Sequence, residues 1–397
     1  MDDFESFDIT KESRLLILAP HPDDEALATG GLLQRAQAKG AKVYVAFLTD
    51  GENNPWPQRV ADRRWSIGAR ERARWGARRR GEALRSLRCL GVAPDCVSFL
   101  GFPDQQVTDL VMAGDASLTR VLNEVFAEQA PTHVFSPSLH DHHSDHSAAA
   151  VAVRAACARR GRHRSPRLFE CIVHDGTQQP AGHPLGLWPE PLEIERKRDA
   201  ISCHVSQLFF RRAELLAFAH RQEVFFESAR AGSDEPSHPI RWVRVEADRM
   251  CLTIARTPCM RAWGPASLML LYPSLQGMRR SLRIRMPWHS SQVAVRFADG
   301  RVGPQPAEYT GGPLRGELRI PLAIMPRLLP GFAKLEARFG FFDEAGWRSL
   351  PMLTVANKEE LRARLRRQVP APAPARAPAS ARATAPASAH PSVRRGV

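Results

Sequence analysis

Between residues 14 and 230 two apolar patterns alternate along the chain. Short, mostly apolar runs lie at Arg14–Ala19, Val43–Leu48, Cys96–Leu100 and His133–Ser136, and such runs predict strands of a buried sheet. Between them the spacing turns helical. A helix is expected from Glu25 to Ala38, stopping at Gly40, and another at Ala83, Leu84, Leu87 and Leu90, stopping at Gly91. Leu118, Val121, Leu122, Val125 and Phe126 mark a third helical face. Strand–helix alternation predicts an α/β fold with a Rossmann-like, doubly wound, mostly parallel sheet. Such sheets place their sites at the C-terminal ends of the strands.

From about Pro239 the period changes to two. Leu282, Ile284, Met286 and Trp288 alternate with polar or Pro positions, as do Val293, Val295 and Phe297. Leu318, Ile320 and Leu322 follow, then Leu335, Ala337, Phe339 and Phe341. This predicts a smaller C-terminal β-rich, sandwich-like domain. The expected organisation is an extension at 1–13, the α/β domain at 14–230, the β-rich domain at 239–356 and a Pro/Ala/Arg tail at 368–397. The tail's composition cannot bury a core, so disorder is expected there.

Charge changes the picture only locally. The 397 residues carry a net +14, but Arg59–Arg88 alone hold 11 Arg against three acids, and residues 361–397 hold eight Arg and no acid. The excess therefore says little about the catalytic body. No helix-turn-helix, zinc-finger or RNP pattern accompanies it, so no specific nucleic-acid partner is expected. The basic tail suits weak electrostatic association with an anionic membrane surface, fading with salt. No apolar run is long enough to span a membrane, and the acidic Met1–Glu5 start is unlike a secretory signal. Seven cysteines without a CxxC pair fit reduced thiols. A cytoplasmic protein is expected, and oligomeric state is left open.

Two clusters carry the chemistry. His21-Pro22-Asp23-Asp24-Glu25 follows the first strand directly, and Asp141-His142-His143-Ser144-Asp145-His146 follows the fourth. A catalytic zinc needs three N/O ligands and an open position. His21, Asp24 and His146 can supply them, leaving Asp23 to take a proton from activated water. His143, as the imidazolium, can stabilise an oxyanion and protonate a leaving amine, with Asp145 holding that imidazole and keeping its pKa up.

The run Ala19–Glu25 resembles the signature of the PIG-L/LmbE-type zinc-dependent N-acetylglucosaminyl de-N-acetylases, and the second cluster resembles that family's D-x-H-P-D-H element with Ser144 in place of Pro. Thr49-Asp50-Gly51-Glu52, Arg79-x-x-Glu82 and Lys197-x-x-Ala200-Ile201-x-x-His204-x-Ser206-Gln207 are similar to further family features. The resemblance covers roughly residues 14–210. It implies one Zn²⁺ per chain held by His21, Asp24 and His146, with Asp23 as base and His143 as general acid oriented by Asp145. It also implies Arg79 in the substrate pocket, where a guanidinium can hold sugar hydroxyls or phosphate. Glu25 and His204 complete the expected substrate-contacting set.

Plainer readings stand beside these. Glu25 is equally a first-turn helix acid, His204 equally a packing residue, and Arg79 and Glu82 can be a surface ion pair. His140 and His142 are expected as solvated loop residues. Trp56, Trp65 and Trp75, interleaved with Arg between Asn53 and Arg80, suit either an anionic glycoconjugate or an Arg-coated helix with buried Trp. Gly30-Gly31 is no dinucleotide loop. The expected activity is hydrolysis of the N-acetyl group from an N-acetylglucosamine-like sugar, releasing acetate and an amine. The alternatives are an amidase on a larger sugar-linked or thiol-conjugated amide and a non-catalytic glycan- or polyanion-binding protein.

Overall fold

In the computed structural model the described residues are 3–114, 116–159, 165–174, 183–228, 238–246, 248–256, 266–273, 279–324, 331–336 and 341–350. The expected disordered tail lies outside them. The first part runs β1 (Arg14–Ala19), α1 (Asp24–Ala38), β2 (Lys42–Thr49), α2 (Pro55–Asp62), α3 (Ala69–Cys89), β3 (Val97–Phe102), α4 (Val107–Ala113) and α5 (Ala116–Gln129). It continues with β4 (His133–Pro137), α6 (Ser144–Arg159), β5 (Arg167–Cys171), β6 (Pro184–Leu187), α7 (Pro191–Ser202), α8 (Val205–Ala217) and β7 (Glu223–Glu227). These strands make one sheet in the order β3-β2-β1-β4-β5-β7-β6. The first five are parallel, β7 runs antiparallel to β5, and β6 runs antiparallel to β7.

Strand order reverses at β1, which pairs with β2 on one side and β4 on the other. Their C-terminal ends flank the crevice where a doubly wound sheet binds ligands. The sheet is buried on both faces. Leu15 and Ile17 point into one core with Leu33, Phe47 and Leu87, while Leu16 and Leu18 point into another with Leu122, Phe126 and Val153. The extension expected at 1–13 adds to the first core, where the Phe7 ring packs edge-on to Phe169 and Phe225 at 4.9 and 5.6 Å.

The second part runs β8 (Ile240–Glu246), β9 (Arg249–Ala255), β10 (Ser267–Pro273), β11 (Arg279–Arg285), β12 (Ser291–Val293), β13 (Val295–Phe297), β14 (Ala307–Gly311), β15 (Arg315–Pro321), β16 (Phe332–Glu336) and β17 (Arg348–Ser349). They form two five-stranded antiparallel sheets, β13-β11-β10-β16-β17 and β12-β14-β15-β9-β8. The run Val293–Phe297, read as one strand, is divided between the two sheets at Ala294. Ala337 and Phe339 lie outside the described residues.

The change of period near residue 239 marks a change of architecture, not a separation, because Met1–Val355 form one compact unit. Met269 and Leu271 of β10 enter the same core as Leu118 and Phe126, together with Phe332 and Trp347. That explains why β10 is apolar without alternation: both of its faces are covered. Ser281 of β11 also donates a hydrogen bond to the carbonyl of Met112 at the end of α4.

Candidate active site

The loops leaving β1 and β4 meet at the switch point. His21 and Asp24 come from the first, and His146 from the first turn of α6. Nδ1 of His21 lies 3.2 Å from Nε2 of His146 and 3.4 Å from Oδ2 of Asp24, which is itself 3.2 Å from His146 Nε2. All three side chains are buried. A tetrahedral ion with bonds of about 2.0–2.1 Å separates its ligand atoms by about 3.3–3.4 Å. The triangle therefore has the size, donor chemistry and burial that a zinc-class cation requires.

Behind this triangle stand further carboxylates. Asp104 Oδ1 is 3.2 Å from Nε2 of His21, and Asp141 Oδ2 is 3.2 Å from Nδ1 of His146. Carboxylates in such positions fix ring orientation and raise the basicity of the ligating nitrogen. Asp141 also accepts the backbone N–H groups of His143, Val173 and His174, which ties the β4 and β5 loops together. Burial disfavours charge on His21, yet Asp104, Asp145 and Asp24 outweigh it and hold its pKa well above the ordinary value. Burial also works against His146, and Asp24 and Asp141 still raise it to about 10. Asp24, which burial alone would raise, is held well below the carboxylate range by His146 and His21. A pocket with this surplus of negative charge is built around positive charge.

His143 and Asp145 differ from expectation. The Asp145 carboxylate accepts the backbone N–H groups of Gln105 at 2.6 Å and Val107 at 3.2 Å, fastening the start of α4. The same carboxylate lies 3.6 Å from Nε2 of His21. The backbone N–H of Asp145 donates to Nδ1 of His143 at 3.2 Å, which leaves the ring proton on Nε2. Burial, with His21, His146 and His174 close by, pushes the His143 pKa well below its usual value. These surroundings disfavour the expected imidazolium, and the Asp145 N–H at Nδ1 leaves Nε2 as the place for a ring proton.

Asp23 stands beside the triangle on a strained backbone, with φ 136° and ψ −29°. That conformation costs of order 1–3 kcal/mol and persists only where neighbours enforce it. Glu25 and Arg79 do so here. Glu25 Oε2 accepts the N–H of Asp23 at 2.9 Å, while Arg79 donates to Pro22 O at 2.6 Å and to Gly51 O at 2.9 Å. Gly51, with φ +63°, has no alternative: a Cβ there would lie 1.9 Å from the Arg79 guanidinium. Arg79 Nη2 is also 3.3 Å from Asp23 Oδ2. Burial lifts the Asp23 carboxyl to about 6 against the pull of Arg79.

These contacts revise the expected substrate set. Arg79 lines the cleft but braces Asp23 and its loop. It makes no pair with Glu82, which is buried and binds Ser206 at the start of α8. Glu25 and His204 do not face the cleft: Glu25 is fully buried, bonded to Ser86 Oγ and His204 Nε2 at 2.9 Å each. Helix α1 turns Glu25 inward while the strained residue before it turns outward. Glu25→Ala, which strands buried His204, is expected to lower unfolding free energy by about 3–5 kcal/mol in denaturant titration.

The site lies in a cleft of about 770 Å³. Trp56 and Phe210 line it from α2 and α8, and Phe341 and Phe342 from the segment before β17. The three tryptophans divide their roles: Trp75 is buried, Trp56 lines the cleft, and Trp65 is exposed with Arg59 lying over both exposed rings. His140 and His142, expected in solvent, are buried, because the segment 341–347 lies against their loop. Asp343 N–H donates to His142 O at 3.0 Å and Trp347 N–H to Leu139 O at 2.8 Å. His174 joins the cluster from beyond β5, its ring 4.7 Å from that of His146, and burial lowers its pKa to about 4. Asp104 and His174 had no part in the sequence reading, yet each lies within three residues of a strand's C-terminal end.

Residues 16–157 match the family described as PIG-L: GlcNAc-PI de-N-acetylase, so the chain carries a domain of that family. The chain is 41% identical over 85 residues to the 1D-myo-inositol 2-acetamido-2-deoxy-alpha-D-glucopyranoside deacetylase of Rhodococcus jostii (strain RHA1), covering 20% of this chain and 26% of that protein. It is 33% identical over 146 residues to the deacetylase of the same name from Mycobacterium avium (strain 104), covering 34% and 47%. The chain thus spans less than half the length of these curated relatives. A conserved protein from Thermus thermophilus superposes with a TM-score of 0.41 at 26% identity, over 56% of this chain and 97% of that one. No helix among the described residues is long and apolar enough to cross a membrane.

Proposed function

We propose that the protein is a zinc-dependent amide hydrolase that removes the N-acetyl group from an N-acetylglucosamine-like sugar or glycoconjugate, giving acetate and a free amine. The observation that carries this reading is the buried triangle of His21, Asp24 and His146 donors, 3.2–3.4 Å apart, with Asp23 and His143 in the same cleft. The activities named for the curated relatives support the same bond class. A Zn²⁺ ion held by the triangle supplies Lewis acidity toward water and the amide carbonyl. Asp23, lifted by burial toward neutral pH, takes the proton from the attacking water. The Nε2–H of His143 donates to the oxyanion as it develops and needs no positive charge to do so. Protonated Asp23 then returns its proton to the departing nitrogen. Arg79 and Glu25 hold Asp23 in its strained conformation throughout.

The test is acetate release from a panel of N-acetylglucosaminyl substrates by metal-stripped protein, with and without added Zn²⁺. Release that returns with Zn²⁺ is the expected result. A zinc-loaded protein that releases no acetate from any member, yet binds them, would replace this reading with glycan binding.

A further inference from the structure

His143 is fixed by a segment far along the chain, in the β-rich part. Phe342 forms an antiparallel backbone bridge with His143. The two hydrogen bonds of the bridge flank the histidine: Ser144 N–H donates to Phe341 O at 3.3 Å, and Asp343 N–H donates to His142 O at 3.0 Å. Both peptide groups beside His143 are thus engaged, and turning its backbone means giving up one of them. Ser144 stands where the family resemblance expects Pro, and Pro has no N–H to give. The complete bridge therefore belongs to this sequence rather than to the motif.

An ion pair sets the register of the bridge. Lys334 of β16 and Asp343 are both fully buried, with Nζ 2.6 Å from Oδ2. The same ammonium donates to Oγ of Ser147 in α6 at 3.3 Å and lies 5.7 Å from the Trp347 ring. Trp347 and Phe332, two residues before Lys334, belong to the apolar core that α6 also enters. A pair buried in such a place adds little stability over apolar residues of the same volume, and its best-attested use is to fix register. Here the register is the one that sets Phe342 opposite His143. Gly346 keeps the segment close, since a Cβ there would collide with Leu139 O.

We propose that Lys334 and Asp343 are positioning residues for His143: their pair locks the bridge that aims its ring at the reacting carbonyl. This rests on the hydrolase reading and extends it, because it makes the β-rich part a component of the active site. The Asp145 N–H holds Nδ1 of the ring, the bridge holds the backbone, and Nε2 is left one place in the cleft. A donor displaced by about 1 Å forfeits of order 10²-fold in rate, so a small slip of the segment is enough.

The experiment compares the full chain, loaded with Zn²⁺, with its Lys334→Met/Asp343→Leu variant, which removes both charges together. Melting temperature, Zn²⁺ stoichiometry and KM are expected near wild type, while kcat for N-acetylglucosaminyl substrates falls by about 10–10²-fold. Hydrogen exchange at the Ser144 amide is expected to quicken while the amides of β9 and β10 stay protected. In a His143→Ala background, followed by single-turnover acetate release, the double substitution is expected to cost nothing further, because the pair acts through that ring. A kcat within about twofold of wild type, unchanged exchange at Ser144, or an equal further loss without His143 would overturn the positioning role. If the double variant does not fold, Ser144→Pro takes its place. Pro suits the first position of α6 and removes only the N–H that reaches Phe341 O. It is expected to lower kcat several-fold with His143 present and not without it, and an unchanged kcat overturns the role. Wild-type protein that releases no acetate would instead overturn the hydrolase reading, and the role given to the pair with it.

Discussion

Asp23→Asn is expected to bind Zn²⁺ at wild-type stoichiometry while releasing acetate about 10²–10⁴-fold more slowly, the usual contribution of a positioned proton acceptor. The argument is geometric before it is electrostatic. Asp23 contributes no atom to the donor triangle, whose three members come from His21, Asp24 and His146. Its carboxylate faces the cleft and Arg79, on a backbone held in a strained conformation by Glu25. Asn keeps the volume and can still accept from Arg79, so the loop should stay in place while the basic oxygen is lost. Metal analysis and single-turnover acetate release on the same preparation separate the two effects. Undiminished turnover would assign the proton to another group. Loss of metal in step with activity would place Asp23 among the ligands.

This prediction was reachable from the sequence because the residues concerned lie in one short cluster at a strand end. Strand β1 begins at Arg14 and ends at Ala19, as the apolar run indicated, and α1 starts one residue before the expected Glu25. Adjacency in sequence does not report every partner where a helix intervenes. Asp145 is two residues from His143, but α6 begins at Ser144 and directs that carboxylate to the N–H groups of Gln105 and Val107. Asp104 and His174 stand alone in their segments, so no cluster announces them; only the rule about strand ends points there. The burial of His140 and His142 comes from residues 341–347, and no local pattern can report a neighbour so distant in the chain. Gly51 entered the sequence reading only within Thr49-Asp50-Gly51-Glu52, and that the Arg79 guanidinium fills its side-chain space is visible only in the fold.

The metal itself gives the other large effect. His146→Ala is expected to lose tight Zn²⁺ binding, because it removes one corner of the triangle and leaves Asp24 and Asp141 buried without the ring they share. Asp141→Asn keeps the ring but weakens its support, and an affinity about 10–100-fold below wild type is expected. Competition with a chromophoric chelator measures both. A rival donor set is present in the same cluster, since Asp24, His146 and His174 also bring ligand atoms together. His21→Ala and His174→Ala distinguish the two. If His21 is a ligand, its removal abolishes tight binding, while His174→Ala leaves affinity near wild type and acts only on the wall it shares with Phe342. The reverse order would transfer the third corner to His174. His146 and Asp24 belong to both sets, so their loss is expected to release the metal in either case.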